Sequence, residues 1–156
     1  MMRLIALMVL LIAPSLTFAQ EERIPVYVSH VGKDPVGVAF ENSVRRELKR
    51  SPRYVLKESE EHQDGLRFYM ELESVDTAGT KADFGKRSFV SIVIQQFGLP
   101  NSYPVAEMWY NKIIVVGRYK VDGLAKTLLD DFNARWCNHI KNSVGTCPKE
   151  VFFPAN

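Results

Sequence analysis

Cys137 and Cys147 are the two cysteines of the chain, and His30, His62 and His139 are its three histidines. With the carboxylates, these groups bound the acid–base, nucleophilic and metal chemistry available. The cysteines are closely spaced and have Gly145 between them, which lets the chain turn back on itself. A disulfide between Cys137 and Cys147 is the pairing expected, closing a short loop worth roughly 2–3 kcal/mol on the chain-entropy model. Free thiols or a metal are the alternatives. A metal would have only Cys137, His139 and Cys147, where a structural zinc site takes four ligands, commonly in a C-x₂₋₄-C spacing. Neither a metal nor a cofactor is expected.

No G-x-S-x-G nucleophile signature occurs, and paired cysteines cannot serve as thiolates. His30 at a strand end and His62 in an acidic loop read as surface residues. Glu71 and Glu73 lie two apart on one strand, about 6.6–7 Å from each other, a spacing that glycosidases can use. With Asp76 they support an alternative reading as a small periplasmic hydrolase. Asp130 and Asp131 are adjacent on a helix and point about 100° apart, so they do not form an acid–base pair. The stretch from Gly79 to Arg87 lacks the spacing and the Ser/Thr of a phosphate loop. No catalytic residue is assigned.

Binding chemistry is better represented. Tyr103, Trp109, Tyr110 and Tyr119 gather around the last hairpin, Tyr69 sits on a strand, and Lys86 and Arg87 close a long polar connection. Tyr and Trp bury much area at little rotamer cost, which suits interfaces, and long loops carry binding groups. Tyr69, Trp109, Tyr110, Tyr103, Lys86 and Arg87 are therefore the candidate binding residues.

The elements that would position them follow from periodicity. Residues 24–31 alternate as a first strand. Asp34 and Pro35 supply a helix cap and first turn, and Phe40, Val44 and Leu48 recur at helical spacing until Ser51-Pro52 stops them. Residues 53–57 form a second strand. Over residues 66–75, Leu66, Phe68, Met70 and Leu72 alternate with Arg67, Tyr69, Glu71 and Glu73, giving one core face and one wet face. Residues 88–97 are apolar on both faces, and residues 108–116 run back as a fifth strand. Asp122 is expected to cap a last helix carrying Ala125, Leu128, Phe132, Trp136 and Ile140. The fold class expected is α+β, a two-layer α/β sandwich of order β-α-β-β-β-β-α. Its sheet is mixed but mostly antiparallel, and two helices cover one face.

The amino terminus has the three-part plan of a signal peptide: Arg3, the apolar run Leu4–Ala13, and small residues before a cut after Ala19. Residues 1–19 are thus expected to be removed, leaving residues 20–156 as one exported domain, periplasmic or secreted. Ten apolar residues cover roughly 15 Å, half a bilayer core, so no stable membrane anchor is expected. Among 156 residues, 46% hydrophobic and 24% charged, 20 Lys and Arg balance 18 Asp and Glu. That is globular composition with a net charge too small to advertise nucleic acid.

Phe40, Val44 and Leu48, followed by Ser51-Pro52-Arg53-Tyr54-Val55-Leu56, form a junction of helix, short break, aromatic and strand. Together with Gly117 before the closing helix, this pattern resembles the small bacterial envelope domain of the TolB amino terminus, CsgG and LpoB. The resemblance covers residues 24–140 as an order of elements, without a diagnostic motif. The lipid-bearing cysteine of CsgG and LpoB is missing here, and the Cys137/Cys147 pair has no counterpart there. The resemblance implies a non-catalytic docking or assembly module whose partner is another envelope or secreted protein. The expected function is macromolecular interaction through an open sheet face and the loops 76–87 and 98–106.

Overall fold

Asp34 begins the first helix through its own side chain: its Oδ1 accepts the Gly37 N–H at 2.6 Å, and Pro35 fills the first helical position, where no N–H is needed. The structure, a computed structural model, describes residues 23–59, 65–98 and 107–144, and in the last segment the side chains of residues 110–139. The elements in chain order are β1 (Ile24–Val31), α1 (Pro35–Arg50), β2 (Tyr54–Lys57), β3 (Arg67–Asp76), β4 (Arg87–Phe97), β5 (Glu107–Gly117) and α2 (Val121–Val144). This is the order that the periodicity predicts.

The strands form one open sheet in the order β2-β1-β3-β4-β5. β1 pairs in parallel with both β2 and β3, while the longer ladders β3–β4 and β4–β5 are antiparallel. A parallel neighbour needs a crossover, which α1 supplies between β1 and β2. The result is the expected α+β fold with a mixed sheet.

Alternation decides which side of the sheet is core. Val26 and Val28 of β1, Phe68, Met70 and Leu72 of β3, and Val90, Ile92 and Ile94 of β4 are buried against Phe40, Val44 and Leu48 of α1. The Ala125, Leu128, Phe132 and Trp136 stripe of α2 completes this core. Phe68 meets Phe132 and Trp136 edge-on at 5.0 and 5.1 Å, and Tyr54 stacks on Phe132 at 5.5 Å. The Tyr54 hydroxyl donates to Asn133 Oδ1 at 2.7 Å, and burial pushes its pKa well above the ordinary phenol value.

Two expectations are corrected. Asp122 does not cap α2 but lies inside its first turn, where its carboxylate accepts from Ser43 Oγ at 2.5 Å and from Arg46 at 2.6 Å, joining the two helices. Tyr110 does not lie on the open face. Unbroken pairing from Val116 back to Tyr110 sets Tyr110 opposite Ile94 on the core side, under α2 and 2% exposed, and the register shift follows only beyond that pair.

Candidate functional site

The uncovered side of the sheet is built by the odd positions of β3, β4 and β5. Val75 stands opposite Phe89, and Phe89 opposite Val115; one step along, Glu73 faces Ser91, which faces Ile113. Nothing among the described residues covers this row: Val75 is 61% exposed, Phe89 52%, Val115 51% and Ile113 71%. Val31 of β1, paired with Glu73, extends it. β-Branched and aromatic side chains favour strands, which explains the residue types, but aligning them across three strands in water has a solvation cost that a partner would remove.

The other end of the same face is closed by its own aromatics. Tyr27 and Tyr69 stack at 4.7 Å, Phe97 meets Tyr69 at 4.9 Å, and the Arg67 guanidinium lies 5.4 Å from the Phe97 ring. Tyr69 is therefore on the uncovered face, as expected, but half-buried in cross-strand packing. Arg87 is exposed at the first position of β4, and Lys86 reaches Asp83 at 2.8 Å. Tyr110 donates to Asp131 Oδ2 at 2.8 Å with Arg135 5.0 Å over its ring, so it fastens α2 to β5. Burial opposes the charge of Asp131, but the bonds from Tyr110 and Arg135 and the field of Lys112 outweigh it and hold the carboxyl below its usual range. Trp109 falls within β5 with its side chain outside the described residues, as are Tyr103, His62, Cys147 and residues 1–19. Cys137 lies on α2.

The carboxylates of the hydrolase reading divide between two places. Glu71 and Glu73 are exposed and line one open depression of about 400 Å³ that also touches Ser29, Ser91 and Val93. Asp76 is occupied elsewhere, accepting the N–H groups of Ala78 and Gly85 at 2.6 and 2.7 Å and so shaping its loop.

A second polar constellation lies inside the molecule, where the sequence reading placed none. His30 Nδ1 is 3.2 Å from Glu41 Oε2, and His30 Nε2 is 2.8 Å from Ser74 Oγ. Glu41 is held by Arg45 at 2.8 Å, and Arg45 also donates to the Val28 carbonyl at 2.6 Å. The hydroxyls of Ser74 and Ser88 both donate to Asp34. Burial raises the Asp34 carboxyl, but these bonds and the Gly37 N–H outweigh it and keep it below its ordinary value. Serine, histidine and glutamate at such distances have the order of a nucleophilic triad. Here, however, Ser74 is 5% exposed and its proton is engaged by Asp34. Gly32 and Gly37 also close over its oxygen so tightly that a Cβ on either would overlap it. An acyl group has no room to approach. The network acts instead as a polar clamp joining α1 to β1, β3 and β4. Its sequence signal is two serines, Ser74 and Ser88, at core positions of otherwise apolar strand faces, with an acidic helix cap to receive them. Among the described residues, no three His, Cys, Asp or Glu side chains converge as metal ligands.

The class thus defined is an α+β fold with an open mixed sheet, one face of which the described helices leave uncovered. No family model matches the chain, and no curated protein sequence matches it. Among solved structures it is similar in fold to TolB from Acinetobacter baumannii, with a TM-score of 0.52 over 76% of this chain and 9% identity. The chain spans 29% of that protein's length. The hypothetical protein CT253 from Chlamydia trachomatis aligns over 60% of this chain and 70% of its own, at 13% identity and a TM-score of 0.35. The likeness to TolB is thus one of fold and not of sequence.

Proposed function

We propose that this chain is an exported, non-enzymatic protein of the bacterial envelope that docks another envelope or secreted protein on its open sheet face. The observation that carries the reading is the uncovered row Val75, Phe89, Val115 and Ile113. Apolar side chains aligned across three strands and left in water bind by excluding that water from a complementary surface. Arg87, two positions before Phe89 on β4, and Tyr69 at the other end of the face are assigned to the rim of this contact, with Trp109 and Tyr103 kept as candidate contacts on their residue type alone. The fold likeness to TolB and the signal-like residues 1–19 support an envelope location. Among the described residues, no helix is long and apolar enough to cross a membrane.

The experiment is capture of partners by the tagged chain from an envelope extract, compared with Phe89→Ser and Ile113→Ser. Both changes are at exposed positions, so stability should stay within about 0.5 kcal/mol. Loss of a specific protein partner with an unchanged unfolding curve supports the reading. Capture that both variants retain refutes it.

A further inference from the structure

The three connections at one end of the molecule form a second surface, distinct from the open face. The Arg118 N–H donates to the Lys86 carbonyl at 2.9 Å, joining the β5–α2 turn to the β3–β4 loop. A Cβ on Gly85 would lie 3.6 Å from Pro35, so the same loop abuts the start of α1. Two aromatic side chains project from these connections: Tyr119, 96% exposed, and Phe84, 59% exposed. Each is bracketed by cations. Tyr119 stands between Arg118 and Lys120, and Phe84 lies between Lys81 and Lys86, with Lys33 on the third connection. All five cations are exposed, and Lys86 is the one paired with a carboxylate in the loop, that of Asp83.

We propose that this end binds reversibly to an anionic lipid bilayer surface. Exposed aromatic tips favour the headgroup level of a membrane, where the ring is half-immersed and the flanking cations reach lipid phosphates. The shape favours lipid over an acidic protein. The apolar groups stand on separate connections, Phe84 in the β3–β4 loop and Tyr119 in the β5–α2 turn, and a groove of about 340 Å³ lies between Pro35, Phe84 and Arg118. A fluid surface can close around each tip separately, whereas a folded partner would need a matching pit for each. With so few charges the attachment is weak and salt-sensitive.

The test is co-sedimentation of the purified full chain with phosphatidylcholine vesicles containing phosphatidylglycerol and with pure phosphatidylcholine vesicles. Binding is expected to the anionic vesicles alone and to be lost at high salt. Neutralising Arg118 and Lys120 together (Arg118→Ser, Lys120→Ser) should weaken it about 25-fold, from roughly fivefold per surface cation. Phe84→Ser with Tyr119→Ser should weaken it as well, while Ile113→Ser should leave it unchanged. The last variant separates this surface from the docking face: vesicle binding that survives Ile113→Ser while protein capture is lost would show two sites. Equal binding to neutral vesicles overturns the proposal. So do absent binding, binding that the loop variants retain, and capture of an acidic protein instead of vesicles.

Discussion

Gly37→Ala is a sharp test of the buried clamp, because sequence reasoning and the structure give opposite signs. Gly37 is helical, and alanine is the better helix former by about 1 kcal/mol, so propensity alone expects stabilisation. The structure places Gly37 against Ser74: a Cβ there would overlap Ser74 Oγ and Cβ and come within 2.7 Å of Asp34 Oδ2. The hydroxyl could rotate away, but Ser74 Cβ is fixed to β3, the central strand. Relief therefore means moving α1 or breaking the bond to Asp34. Overpacking costs about 1–3 kcal/mol, and a hydrogen bond to a charged group about 1.5–3 kcal/mol. After the propensity gain of about 1 kcal/mol, a net loss of about 0.5–2 kcal/mol is expected. Urea unfolding followed by the fluorescence of buried Trp136 should read it as a midpoint lowered by about 0.3–1 M. Gly37→Ala combined with Ser74→Gly should lose less than the two changes summed, since the overlap disappears. A midpoint unmoved or raised in Gly37→Ala, or strict additivity in the double variant, would refute the clamp.

Acid should loosen the same network. Asp34 is held below the ordinary carboxyl value of 3.8, so its contribution is fully present above that pH and is lost as pH falls from there through the lower native value. Asp34→Asn should flatten that part of the stability–pH curve measured by chemical unfolding, and an unchanged slope would count against it. On β5, Tyr110→Phe should cost about 1–2 kcal/mol through loss of the Asp131 bond, and Tyr110→Ser about 3–5 kcal/mol through the cavity it leaves. A neutral Tyr110→Ser in thermal unfolding would place Tyr110 on the open face after all. If Cys137 pairs with Cys147 as proposed, thiol titration of the unfolded native chain should find no free thiol. Cys137→Ser should then lower stability by about 2–3 kcal/mol, and two titratable thiols would defeat the pairing.

Element order, both amphipathic helices and the core face of β3 were legible in the sequence, because periodicities of two and 3.6 record which side of each element meets apolar neighbours. Phe40, Val44 and Leu48, and Phe68, Met70 and Leu72, sit where that pattern puts them. Periodicity marks β5 as a strand but does not say which of its faces a helix covers. Tyr110 was accordingly expected in the open and is buried. His30 was read as a surface residue because its partners lie far along the chain: Ser74 is 44 positions away. The parallel pairing of β1 with β3 decides that meeting, opposing His30 to Leu72 and bringing the end of β3 to the start of α1. The exposed row depends on the same kind of information. Val75, Phe89 and Val115 belong to three strands, and only ladder register sets them side by side. A sequence thus specifies the local pattern that each element must satisfy by burial. Which elements become neighbours, and which apolar face is left bare, is decided when the sheet assembles.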